Sequence, residues 1–158
     1  MLNISMVRVD ERLIHGQIII KWIEATKADR IIVIDNDAAF DPVLGKILRM
    51  STPNGINLQI LNLEDGISTL LTEDNEDVII LVKHLWIVKK IYEGGVSIKE
   101  VNVGRIPSDV GRKKICSNVF LSDEDMDIIK YFNKEGVNVF VQIVPDSIPI
   151  DLYGLISL

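Results

Sequence analysis

Two rhythms of apolar and polar residues alternate along this chain. One is a short run of β-branched and aliphatic residues; the other is an apolar stripe at helical spacing. Residues 4–9 read as a first strand. Residues 18–24 put Ile18, Ile19, Trp22 and Ile23 on one side, as a helix does. Residues 30–34 are β-branched throughout after the arginine and predict a buried strand. Asp41 and Pro42 then suit the N-cap and first turn of a helix carrying Val43, Leu44, Ile47 and Leu48 on one face, closed by Pro53 and Gly55. A third strand is expected at 57–61 and a short helix at 65–71.

The second half repeats the alternation. Residues 77–82 form the clearest buried strand, because every residue after Asp77 is aliphatic. A helix at 85–92 stops at Gly94 and Gly95, and a fifth strand follows at 98–103. Residues 104–121 predict a long connection with a small hairpin over 114–121. Ser122 and Asp125 resemble a capping box for a helix running to Glu135 and ending at Gly136. A sixth strand is expected at 137–144, then an irregular tail with a final turn at 152–156. Apolar strands separated by helices predict an α/β fold in three layers. Its central sheet is mostly parallel, of about six or seven strands, with helices on both faces. Ligand sites in such sheets form outside the carboxyl ends of the strands. That rule selects residues 10–17, 35–37, 83–84 and 104–112.

Composition narrows the class. The 158 residues suit one domain, 1–158, without repeat or linker. Seventeen Lys and Arg against 23 Asp and Glu leave a net charge of −6, which argues against a nucleic-acid partner bound through overall charge. The single Cys116 forms no intrachain disulfide and suits a reducing compartment. No run reaches membrane-helix length, and the N-terminus lacks the pattern of a signal peptide. A cytoplasmic protein is the expectation.

Local charge departs from that acidic average. In VRVDERLIHGQI, residues 7–18, Arg8, Asp10, Arg12 and His15 gather between a strand and a helix start. Alternation puts Arg8 and Asp10 on one face of the strand. Free amides near Gln17 and the helix dipole attract anions, and Gly16 lets a ligand approach the backbone. Guanidiniums from Arg8 and Arg12 can fork onto phosphate oxygens. An imidazole is a largely neutral nucleophile near neutral pH, and its phosphoryl adduct is labile. His15 therefore suits a transient phosphoryl carrier, with Asp10 placed to orient its ring. The same residue types also suit ordinary surface ion pairs, and by themselves they name no reaction.

The run VRVDERLIHGQ resembles the phosphorylation loop of IIB components of the mannose/fructose/sorbose family of the bacterial phosphoenolpyruvate-dependent sugar phosphotransferase system. VIDNDAAFDP, MSTPNGI, and NVGR followed by VFLSDEDM resemble the same family in the same order. The resemblance implies a phosphotransferase subunit. His15 would take a phosphoryl group, through Nδ1, from the phosphohistidine of a IIA partner. It would pass the group to a sugar held by membrane IIC and IID partners. The resemblance also makes Arg8 and Arg12 the phosphate-clamping arginines and places the protein at the inner face of the cell membrane through its partners; no cofactor is expected. One departure stands out: Asn102-Val103-Gly104-Arg105 carries Arg105 where the family often has a second glycine.

Other candidates have plainer readings. His84 reads as a polar helix-start residue rather than a second catalytic histidine. Asp35, Asn36 and Asp37 read as strand-end turn residues, and no metal is predicted there. Trp22 and Trp86 read as packing, and residues 112–114 as a solvated basic run. Two other functions fit the residue types. One is a phosphosugar-binding enzyme with His15 as base. The other is a non-catalytic module that binds a phosphorylated partner through Arg8 and Arg12.

Overall fold

The computed structural model describes residues 1–72 and 75–158. Its strands are β1 (Asn3–Asp10), β2 (Arg30–Ile34), β3 (Asn57–Leu61), β4 (Asp77–Val82), β5 (Glu100–Arg105), β6 (Lys113–Cys116), β7 (Val119–Leu121), β8 (Asn138–Val141) and β9 (Ile150–Asp151). Its helices are α1 (Gly16–Thr26), α2 (Asn36–Phe40), α3 (Pro42–Met50), α4 (Leu63–Leu70), α5 (Leu85–Glu93), α6 (Asp123–Lys134) and α7 (Leu152–Ile156). Seven strands form one sheet in the order β3-β2-β4-β1-β5-β8-β9. Every pairing in it is parallel except β8 with β9, an antiparallel edge. The expected three-layer, mostly parallel α/β fold is therefore the observed one.

Strand alternation distributes the core. In β2, Ile31 and Val33 turn to one face while Ile32 and Ile34 turn to the other. The first face is covered by α1, α2 and α3 through Ile19, Trp22, Ala38 and Leu48. The second is covered by α4, α5, α6 and α7 through Leu70, Val88, Ile129 and Leu152. Burying each such aliphatic side chain contributes roughly 1.5–3 kcal/mol relative to exposure. Two covered faces explain why the central strands are aliphatic throughout rather than alternating with polar residues.

Several boundaries differ from expectation, for local reasons. Residues 36–40 form a helix rather than a turn, because the Asp35 carboxylate accepts the Ala38 amide at 2.9 Å and caps it. The helix α4 starts at Leu63, two residues early, because Asn62 caps it through the Asp65 amide. The strand β5 continues through Gly104 to Arg105, so these two residues lie in the sheet and not in a loop. The strand β8 ends at Val141, short of the expected 144. There the Gln142 side chain donates to the carbonyls of Pro145 and Ser147 and stabilises a turn. The Ser122–Asp125 capping box and the hairpin of β6 and β7 are present. Among the described residues no helix is long and apolar enough to cross a membrane.

Candidate functional site

The carboxyl ends of β2, β4, β1 and β5 lie side by side, and the four segments selected from the sequence meet there. Asp35 pairs with Lys83 at 3.7 Å, and Glu11 pairs with Arg105 at 3.0 Å. The loop between β1 and α1 is the centre of this edge.

That loop is built from tight local bonds. The Leu13 amide donates to the Asp10 carbonyl at 3.0 Å, and the Arg12 amide donates to Asp10 Oδ1 at 3.0 Å. Leu13 sits in the left-handed region at φ 59°, a conformation that costs energy for a residue with a side chain. Burial of Leu13 and Ile14 against the first-face core holds the turn in place. Sequence reasoning passed over these two anchors. The signal was present as an apolar pair inside an otherwise polar loop.

His15 follows the anchors and is exposed. It occupies the N-cap position of α1 with extended backbone, φ −135° and ψ 106°, and its side chain makes no capping bond. The imidazole thus remains available. By helix geometry the first amides of α1, at Gly16, Gln17 and Ile18, have no acceptor inside the helix. No carboxylate occupies that first turn to compete for an anion. Gly16 has φ +45°, which a residue with a Cβ adopts only under strain.

The two arginines have different places. Arg12 remains partly exposed and folds back onto Asp10, donating from Nε to Oδ1 at 3.0 Å and from Nη2 to Oδ2 at 2.9 Å. This bond raises the Arg12 pKa above its ordinary value. Arg8 is only 2% exposed. It donates to the Asn102 side-chain carbonyl and to the backbone carbonyls of Gln142 at 2.9 Å and Ile143 at 3.2 Å. Its guanidinium lies 5.6 Å from the centre of the Trp22 ring and 3.7 Å from Asp10. Burial lowers the Arg8 pKa from its ordinary value to about 10, with Asp10 opposing that shift and Arg12 adding to it. The group is still a cation at neutral pH. The expectation of two guanidiniums open to a phosphate is corrected: Arg12 is at the surface, whereas Arg8 is a buried post beneath the loop.

Asp10 also differs from expectation. Three donors of Arg12 and the Arg8 cation surround its carboxylate, which is 3% exposed. The carboxylate holds Arg12 in place of the predicted His15 ring.

Trp22 proves more than packing, because its indole N–H donates to the Ile143 carbonyl at 3.0 Å while its ring faces Arg8. Asn102 turns its carbonyl to Arg8, which can only donate. This leaves its buried Nδ2 without an acceptor among the described residues. Gly104 is the floor of the same chamber. A Cβ there would lie 2.1 Å from Arg8 Nη2 and 2.4 Å from Cζ. Replacing Gly104 by Ala is therefore expected to cost about 2 kcal/mol by overpacking. That corresponds to a fall of about 4–8 °C in Tm, read by calorimetry. An unchanged Tm would show that the guanidinium has somewhere else to go.

His84 begins α5 and stacks on Trp86, with ring centres 6.1 Å apart. Burial, reinforced by Arg112 and Lys83, lowers its pKa, so the ring is neutral at pH 7. Its place at a helix start is the plain reading made from the sequence.

Comparison with known proteins adds the following. Residues 4–158 match the family described as the PTS (phosphotransferase system) sorbose subfamily IIB component. The N-acetylgalactosamine-specific phosphotransferase enzyme IIB component 1 of Escherichia coli (strain K12) is 30% identical over 145 residues, covering 90% of this chain and 92% of that one. The mannose-specific EIIAB component of the same organism is 30% identical over 156 residues, covering 98% of this chain and 48% of the longer protein. The crystal structure of the IIBSor domain of the sorbose permease from Klebsiella pneumoniae superposes with a TM-score of 0.94 at 27% identity, covering 98% of this chain and 96% of that one.

Proposed function

The chain belongs to the sorbose subfamily of phosphotransferase-system IIB components, and from that premise we propose that His15 is its phosphoryl carrier. A IIB component is a phosphotransferase that serves phosphoryl transfer to a sugar. Such components work with a IIA partner and with membrane IIC and IID partners. In this chain the work is done within one domain spanning 1–158, at the inner face of the membrane.

In the first step the Nδ1 lone pair of His15 attacks the phosphorus of the phosphohistidine on IIA. The new N–P bond forms as the donor's N–P bond breaks, and the donor imidazole leaves with its electron pair. In the second step a hydroxyl oxygen of the sugar bound by IIC and IID attacks the same phosphorus. The N–P bond on His15 breaks, the hydroxyl proton goes to a base, and His15 returns unmodified. Both steps need charge stabilisation and alignment more than covalent help from other groups. Arg12, partly exposed in the same loop three residues before His15, supplies a cation, and the amides of Gly16 and Gln17 supply donors at the helix start. Asp10 and the buried Arg8 act from beneath by setting where Arg12 begins.

The observation that carries this reading is His15 itself: an exposed imidazole at the N-cap of α1 that makes no capping bond, in the same loop as the partly exposed Arg12. The test is phosphorylation by the phosphoenolpyruvate-driven relay, followed by mapping of the modified peptide. The expected product is one acid-labile, base-stable phosphate on His15. The chain has two histidines, so label on His84 would overturn the assignment.

A further inference from the structure

We propose that Arg105 is a positioning residue for the loop between β1 and α1, acting on it through Glu11. The proposal deepens the reading of His15 as phosphoryl carrier and rests on it.

Arg105 ends β5 opposite Asp10, where the register between β1 and β5 shifts between Val9 and Asp10. Two contacts run from it to the loop. Its backbone carbonyl accepts the Glu11 amide at 3.3 Å, and its Nε lies 3.0 Å from Glu11 Oε1. Any residue at 105 would offer the first contact; only a cation offers the second. The other arginines at this edge are committed elsewhere, Arg8 to its buried chamber, Arg12 to Asp10 and Arg112 to the Pro107 carbonyl. Among the described residues, Arg105 is the guanidinium within ion-pair distance of Glu11.

The first turn of the loop is thus tied at two adjacent residues in two directions. Arg12 folds back onto β1, and Glu11 reaches across to β5. The ties differ in kind. The Asp10 carboxylate is 3% exposed, whereas Arg105 and Glu11 are 41% and 34% exposed. The outer tie is therefore the one that salt weakens. It also has an electrostatic effect. Glu11 lies four positions before His15, and an uncompensated carboxylate there opposes the arrival of a phosphoryl group. Pairing it with Arg105 removes that negative charge from the mouth of the site.

The test uses the full chain with Arg105→Ala, Glu11→Gln, both together, and the charge swap Glu11→Arg with Arg105→Glu. Two quantities are read: amide hydrogen exchange of residues 11–14 in the unphosphorylated protein, and the single-turnover rate of phosphoryl acceptance from the donor. Arg105→Ala is expected to speed exchange and slow acceptance by about two- to fivefold, the range of an exposed ion pair. The rate difference should vanish near 1 M salt, where the screening length is about 3 Å. Glu11→Gln should match Arg105→Ala in exchange, the double variant should be no worse, and the swap should restore both quantities. Unchanged exchange in Arg105→Ala, or a swap that restores neither quantity, overturns the proposal. The exchange measurement does not involve His15. Failure of the His15 reading would instead appear as missing label on His15 in the unsubstituted protein.

Discussion

Replacing His15 by Ala is expected to abolish phosphoryl labelling of this chain and to lower sugar phosphorylation in the reconstituted relay by at least about 10⁴-fold. Removing a covalent carrier leaves no parallel route, and loss of a nucleophile is commonly of this size or larger. Folding should be spared. The imidazole is exposed and caps nothing, so the stability change should stay within about 0.5 kcal/mol. Thermal unfolding should accordingly shift by less than about 2 °C. Two assays decide the matter: a phosphate-transfer assay and a melting curve. Activity within tenfold of the unsubstituted protein would reject His15 as carrier. A large drop in Tm would mean that the loss reported folding rather than chemistry.

Replacing Asp10 by Asn should produce the largest loss of stability, about 3 kcal/mol, or about 6–12 °C in Tm. The substitution keeps shape and removes charge. Arg8 remains a cation inside the protein, since burial lowers it only to about 10, and Asp10 is the carboxylate beside it at 3.7 Å. Stranding a buried cation costs far more than losing a surface pair, because the desolvation penalty stays while the compensating charge is gone. Arg12 also loses the carboxylate that holds it by two parallel bonds. Urea unfolding measures the loss. Adding Arg8→Met to Asp10→Asn should recover part of it, because an apolar chain of similar length leaves no unpaired charge. A loss below about 1 kcal/mol would show that the Asn102, Gln142 and Ile143 carbonyls sustain Arg8 alone.

Much of the site was legible because its chemistry lies in one short run. The residue types from Arg8 to Gln17 pick out a candidate anion site at a helix start, and the resemblance built on them named the family correctly. The roles within the run were less legible. Arg8 and Arg12 look equivalent in sequence, four positions apart, yet one is buried and the other is at the surface. Strand alternation correctly placed Arg8 and Asp10 on one face, but it does not say what covers that face. Gly104 looked like a loop glycine and proved to be a strand residue kept small by a guanidinium. Asp35 looked like a turn residue and proved to be the cap of a short helix.

The order of most strands and helices, the Asp41 and Ser122 caps and the placement of the polar loop after β1 followed from the sequence by itself. Each of these depends on residues within about one or two turns of one another: periods of 2 and 3.6, a capping box, a glycine stop. Only the tertiary structure decided which arginine is buried and which is at the surface, what Asp10 holds and why position 104 is glycine. The partners of Arg8 come from 94, 134 and 135 residues away, on β5 and just beyond β8. The sheet order brings β1 beside β5 and β5 beside β8. No local pattern in the chain encodes that adjacency, because it is chosen by burying both faces of the whole sheet at once.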